Sequence, residues 1–286
     1  MTGDPYDTVT LDVHDGVAVV TLNRPERLNA VDDAIRSAFP IRMAEAADRD
    51  DVRAIVVTGA GRGFCAGADV GVLGSIGAGE KRTMPGRTYL VARSIPKPVI
   101  AAVNGVCAGL GLVFALSADI RFAAPTTRFD TGFARRGLVA EQAIGWLLTR
   151  AVGPSKALDL LYTGRTFTGA EAHELGLVDH LHPEDAVLDQ AVTYARRLAS
   201  SSSPVSMAAM KWQVQRALET SLWEGLDDAE ALTAAALAGR DFVEHGATLA
   251  RDTCADFPPL VAGRLDDDLP LGLIPPARPA THPSES

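Results

Sequence analysis

Cysteine is scarce in this chain. There are three in 286 residues, Cys65, Cys107 and Cys254, with no Cys-Xaa-Xaa-Cys pair and no metal-like spacing. So sparse and odd a set excludes a disulfide framework and reads as free thiols in a reducing compartment. Cys65 and Cys107 adjoin glycine-rich turns, which leaves a reactive thiol and a small buried one both open. Long apolar runs are missing as well: Gly, Pro or charge interrupts each one. That excludes a transmembrane span and a signal peptide, so the expected location is the cytoplasm. Basic residues are outnumbered, 27 Lys and Arg against 36 Asp and Glu. A net charge of −9 argues against nucleic acid or an anionic membrane surface as the main partner. Histidine is sparse too; His180-Leu-His182 would share one strand face, but no third ligand lies near, so no metal is expected. No Gly-Xaa-Ser-Xaa-Gly, His-Glu-Xaa-Xaa-His or Walker sequence occurs. Gly59-Ala-Gly-Arg-Gly-Phe64 lacks the dinucleotide GxGxxG spacing and follows a hairpin and a helix, which excludes a Rossmann dehydrogenase.

What is present suits a globular protein with a sizeable core, 47% hydrophobic and 22% charged. Val9 to Val13 and Val17 to Asn23 alternate around Asp15-Gly16, a hairpin signal. Asp32 to Asp50 carries Ile35, Phe39 and Met43 at helical spacing, with Pro40 expected to kink or shorten that helix. Val52 to Thr58 and Pro98 to Val103 are nearly all apolar and read as buried strands. Strand, turn, helix and strand then repeat, the pattern of a layered α/β fold. Beyond Pro154 the chain reads as helices over 155–162, 169–175, 185–200, 205–218 and 222–237, with Ser200-Ser-Ser-Ser-Pro204 as a break. The organisation expected is a core over 1–200, a helical region over 201–257 and a proline-rich, disordered tail over 258–286.

Two glycine-rich turns carry the functional signal. Gly59-Ala-Gly-Arg-Gly-Phe-Cys-Ala-Gly-Ala-Asp69 follows one buried strand, and Asn104-Gly-Val-Cys-Ala-Gly-Leu-Gly111 follows another and leads into an apolar helix. Such turns can aim free backbone N–H groups at one point and hold a developing negative charge. The same glycines would also serve tight turns and close packing.

These segments, with Leu22-Asn23-Arg24-Pro25, Leu28-Asn29-Ala30, Ala118-Asp119-Ile120-Arg121 and Ala172-His-Glu-Leu-Gly-Leu-Val178, resemble the crotonase superfamily of enoyl-CoA hydratases and isomerases. The resemblance runs from about Val9 to Met210 and implies a spiral of ββα units. It also implies that the C-terminal helices build a homotrimer or a dimer of trimers and cover the acyl-CoA site. The implied substrate is an acyl-CoA thioester of fatty-acyl metabolism, with coenzyme A part of the substrate and no separate cofactor. The oxyanion donors would be the amides of Ala68 and Leu110. Binding would fall to Arg27 and Leu28, to Ala66 and Gly67 near the adenine, and to Gly109 and Val113, although Arg27 equally reads as a solvated turn residue. Phe133, Trp146, Phe114 and Leu148 suggest an apolar acyl pocket, and core packing explains such a set equally well.

The chain departs from the hydratase pattern at two positions. Where hydratases commonly carry two water-positioning glutamates, it has Val113 and Phe133, and neither can move a proton. Glu141 matches a third position, at which dienoyl-CoA isomerases carry a proton-shuttling Asp. It falls at a predicted helix start, where the dipole favours its charge and partial burial opposes it. A general base is one reading; a helix cap or a partner for Arg135 or Arg136 is the other. Asp130 is a further candidate partner, Asp69 reads as a helix cap and Asp119 as structural. At the C-terminal positions where the family often closes a Phe and a Lys over the nucleotide, the alignment puts Leu249 and Asp252. Isomerisation or lyase chemistry through an enolate is the leading expectation. Hydrolysis of an acyl-CoA or a β-diketone, and a binding protein without turnover, remain alternatives.

Overall fold

The computed structural model describes residues 7–81, 88–249 and 255–261. The chain opens with an antiparallel pair, β1 (Val9–His14) and β2 (Val17–Leu22), around Asp15 and Gly16, both at positive φ as a tight hairpin turn requires. Helix α1 (Asp33–Asp48) follows, its N-terminus capped by Asp32, whose carboxylate accepts from the Ile35 N–H at 2.9 Å. Pro40 lies inside α1 without shortening it. Ile35, Phe39 and Met43 bury one face on either side of the proline, and that packing outweighs the missing hydrogen bond.

Three windings then repeat one plan. Strands β3 (Ala54–Gly59) and β4 (Gly63–Cys65) precede α2 (Val70–Gly77), and β5 (Val99–Val103) and β6 (Val106–Ala108) precede α3 (Leu110–Ser117). Strands β7 (Ile120–Ala123) and β8 (Arg128–Asp130) precede α4 (Ile144–Val152). Each winding gives its first strand to a six-stranded sheet, ordered β1-β2-β3-β5-β7-β10, and its second to a four-stranded sheet, ordered β4-β6-β8-β9. This is the expected stack of ββα units. The chain continues through α5 (Pro154–Thr163), β9 (Thr166–Thr168), α6 (Gly169–Glu174), β10 (His180–Leu181) and α7 (Val187–Ser201). It ends in α8 (Pro204–Arg216), α9 (Leu222–Ala238) and α10 (Arg240–Leu249), of which α10 has no counterpart in the sequence reading.

The main core joins the hairpin, α1, α3, α4 and both sheets. A second cluster sets Val187, Ala191 and Ala195 of α7 against the large sheet. A third joins Val205, Ala208 and Ala209 of α8, Leu232 of α9, and Leu260. Lys211 of α8 fastens the C-terminal helices to the windings: its buried ammonium donates to the carbonyls of Ala92 and Lys97 and pairs with Asp119 at 2.8 Å. Asp119 also accepts from the Val99 N–H, so it is structural as expected. The His182 ring stacks on Phe122 at 5.7 Å between centres, and the His180 ring meets Phe122 tilted at 4.5 Å. Cys254, Asp252 and the expected tail beyond residue 261 lie outside the described residues, and so does the side chain of Leu249.

Candidate active site

The two glycine turns meet backbone to backbone. An ideal Cβ on Gly67, at φ +97°, would stand 3.0 Å from the Ala108 carbonyl oxygen and 3.7 Å from the Gly109 Cα. One on Gly111 would stand 2.2 Å from the Cys65 oxygen. Only hydrogen fits at these positions, so the two turns lie against each other, with Ala68 just after Gly67 and Leu110 between Gly109 and Gly111.

Each of those residues presents an unengaged N–H for a local reason. Ala68 forms a parallel bridge with Val31 in which the Gly67 oxygen accepts from Val31 at 2.7 Å and the Asp69 N–H donates to Val31 at 3.0 Å. In such a bridge the central residue turns its own N–H away from its partner strand. Leu110 is the first residue of α3, where an amide has no intrahelical acceptor. Neither amide donates to any acceptor among the described residues.

Two asparagines hold the first turn. Asn29, fully buried at φ +56°, donates to the oxygens of Ala60 at 3.0 Å and Gly63 at 2.7 Å, and accepts from the Arg24 N–H. Asn104 donates to the oxygens of Gly59 and Gly61 at 2.8 and 2.9 Å and accepts from the Gly59 N–H. The sequence marked both as motif residues without revealing this work, because the carbonyls they donate to lie 31 to 45 residues away. Asp69 caps α2, accepting from the Gly71 N–H at 2.8 Å, and pairs with Arg24. The Gly71 hydrogen bond first, then Arg24, hold its carboxyl below the usual range.

Around this point the proposed binding residues fall into distinct settings. Arg27 is exposed at the end of the 3-10 turn Pro25–Arg27, and Leu28, at φ +49°, lays its side chain over Gly63. Ala66 donates its N–H to the Leu28 oxygen at 3.0 Å, which joins this segment to the Gly67 turn. Val113, Phe114 and Leu148 are sealed in the main core, and Phe133 is nearly so. The Trp146 indole packs at the core's edge between two guanidinium groups, Arg150 at 3.6 Å and Arg93 at 5.0 Å from the ring centre. The Cys65 and Cys107 thiols are fully buried and free; burial pushes Cys65 up to about 12 and Cys107 well above its usual value. A thiol so held is inert at neutral pH.

Glu141 does not open the helix; α4 begins three residues later, at Ile144. Its carboxylate is half-buried and has no hydrogen bond or ion pair among the described residues, so it neither caps α4 nor pairs with an arginine. Arg135 pairs instead with Asp130 at 3.2 Å, and Arg136 donates to the Gly132 carbonyl. Desolvation raises the Glu141 pKa above its usual value. The turn that carries it is strained: Gln142 and Ala143, both non-glycine, sit at φ +51° and +59°. Tyr89, which the sequence reading passed over, lies within electrostatic reach of Glu141. Among the described residues, no group of three or more His, Cys, Asp or Glu could hold a metal ion. No described helix is long and apolar enough to cross a membrane.

Comparison with known proteins shows the family. The sequence model of the enoyl-CoA hydratase/isomerase family matches residues 12–247. A protein of Mycobacterium bovis named probable enoyl-CoA hydratase echA12 is 36% identical over 270 residues, covering 89% of this chain and 88% of that one. The 1,2-epoxyphenylacetyl-CoA isomerase of Escherichia coli is 36% identical over 196 residues, covering 66% of this chain and 74% of the other. Among solved structures, a probable enoyl-CoA hydratase/isomerase from Mycobacterium abscessus superposes with a TM-score of 0.82 at 30% identity, over 87% of this chain and 98% of that one. With a matching family model over most of its length and the fold of that family's solved members, this chain belongs to the enoyl-CoA hydratase/isomerase family of the crotonase superfamily.

Proposed function

We propose that this enzyme moves a proton on an acyl-CoA thioester, with Glu141 as the acid/base and the Ala68 and Leu110 amides as the oxyanion hole. The carrying observation is that Glu141 has no partner, while apolar, buried Val113 and Phe133 occupy the other two acid positions. The Glu141 carboxylate takes a proton from the carbon next to the thioester carbonyl or from its vinylogous position. The electron pair moves onto the carbonyl oxygen, and the two amides hold the enolate. The carboxylic acid then returns the proton at the other carbon, which shifts the double bond. One oxyanion donor of this kind lowers the barrier by about 3 kcal/mol. Burial raises the carboxyl's proton affinity towards that of a useful general base.

A single carboxylate suits such a shuttle better than two-acid hydration. The E. coli relative whose name says isomerase supports this choice. Hydration by Glu141-activated water, hydrolysis of an acyl-CoA or β-diketone, and binding without turnover are the competing outcomes. The test is a panel of saturated, enoyl and dienoyl CoA thioesters, with products identified by mass spectrometry. Double-bond migration at constant mass supports the proposal; added water or released CoA contradicts it.

Two further assignments belong to this reading. The free thiols Cys65 and Cys107 favour the reducing cytoplasm. The exposed apolar side chains Met210, Val214, Leu222 and Trp223 on α8 and α9 favour a homotrimer or dimer of trimers, since a monomer gains nothing from such a row.

A further inference from the structure

Arg24 directs one guanidinium nitrogen, Nη1, at three acceptors: the Ala30 carbonyl oxygen at 2.8 Å, Asp32 Oδ2 at 3.1 Å and Asp69 Oδ2 at 3.2 Å. The side chains of Arg24, Asp32 and Asp69 are 18%, 27% and 14% exposed, so this is no solvated surface pair. The backbone of the arginine is fixed as well. Its N–H donates to Asn29 Oδ1 at 2.8 Å, and its oxygen accepts from the Asn29 N–H at 3.0 Å.

The three acceptors bracket one place. Ala30 and Asp32 flank Val31, and Asp69 follows Ala68. Val31 and Ala68 form an isolated bridge, a single residue pair held by two hydrogen bonds. Nη1 therefore ties together both sides of the bridge at which Ala68 turns its own N–H outward.

Helix capping does not account for this arginine. Asp32 caps α1 and Asp69 caps α2 through Oδ1, and Arg24 takes the other oxygen of each. Both caps are complete without it. What the guanidinium adds is a join between them, and a positive charge between two carboxylates that would otherwise repel. Without that join, the side of the bridge that carries Ala68 can part from the side that carries Val31.

We propose that Arg24 is a positioning residue: through Asp69, Asp32 and the Ala30 carbonyl it fixes the Val31–Ala68 bridge, and with it the aim of the Ala68 N–H. This rests on the oxyanion reading above, in which that N–H polarises the thioester carbonyl.

The test is difference infrared spectroscopy of hexanoyl-CoA, labelled with ¹³C at its thioester carbonyl and bound to wild type, Arg24→Met and Asp69→Asn. Donors aimed at the oxygen polarise the carbonyl and lower its stretching frequency. Asp69→Asn keeps an oxygen for the α2 cap but turns an amide nitrogen towards Nη1, so it loosens the join with little risk to folding. Wild type is expected to lower the carbonyl frequency on binding. Both variants are expected to lose part of that lowering, with the Kd for hexanoyl-CoA within a few-fold of wild type. Exchange of the α-protons in D₂O is expected to slow by about 10²-fold in Arg24→Met, the effect of a donor misplaced by roughly 1 Å. An arginine that serves stability alone would lower the melting temperature and leave the bound carbonyl frequency as in wild type. The proposal is overturned if Arg24→Met keeps the wild-type lowering or, should that variant not fold, if Asp69→Asn keeps it. Either result would leave the oxyanion reading standing. A wild type that does not lower the frequency would sink that reading and this one with it.

Discussion

Glu141 is placed by backbone strain rather than by side-chain partners. Two successive left-handed residues, Gln142 and Ala143, turn the chain between it and α4, each costing on the order of 1–3 kcal/mol. The surrounding packing must overcome that strain, as it does where a site demands a fixed geometry. Without a partner, the carboxyl is subject mainly to desolvation, which favours its neutral form and raises its pKa. A base acts only when ionised, so activity is lost as pH falls through that raised pKa and is recovered above it. The ascending limb of kcat/KM against pH is therefore expected above the ordinary glutamate value of 4.5. In Glu141→Gln the limb should vanish along with about 10² to 10⁴ of kcat, while KM stays within a few-fold. A limb that persists in the variant would belong to some other group.

At the scale of elements, the donor turns depend on close approach. Gly111→Ala would put a methyl group 2.2 Å from the Cys65 oxygen, a backbone atom that cannot swing aside. The turns would have to part, which moves the Leu110 amide away from Ala68. The expected result is a loss of several kcal/mol in stability, as for other overpacked buried sites, read by urea denaturation, and about a hundredfold loss in kcat in whatever folds. A variant with full activity would mean that the Leu110 amide is not an oxyanion donor.

Legibility in the sequence follows the same scale. The hairpin, β3, β5 and the helices from α5 to α9 were readable because their apolar periodicity is local. Strands β4, β6 and β8 are three residues each, too short for any periodicity, although they form most of the second sheet. Pro40 misled because tertiary packing, not propensity, holds α1 together. In the site, the meeting of the two glycine turns that carry Ala68 and Leu110 was legible through motif and turn chemistry. The lack of a partner for Glu141, the clamping by Asn29 and Asn104 and the approach of Tyr89 were not, since each depends on chain segments far apart in sequence.

At the scale of the whole molecule, the windings and the C-terminal helices have different surfaces. The windings enclose the main core, whereas α8 and α9 leave large apolar side chains in solvent, Trp223 at 71% exposure among them. Burying one such side chain is worth about 1.5–3 kcal/mol, and each subunit of an oligomer would gain it repeatedly. Trp223→Glu is expected to shift the protein to monomer in sedimentation velocity at micromolar concentration, with the helix content of the subunit retained. Wild type that sediments as a monomer throughout would contradict the assembly.

The most direct test of the central claim is proton exchange. Wild type and Glu141→Gln would be incubated with an enoyl-CoA thioester in D₂O, and deuterium at the α and γ carbons followed by mass spectrometry. The account predicts deuterium in the wild-type reaction and its loss in the variant, with CoA-thioester binding unchanged. Equal incorporation by both proteins would contradict it, since the proton would then move without Glu141.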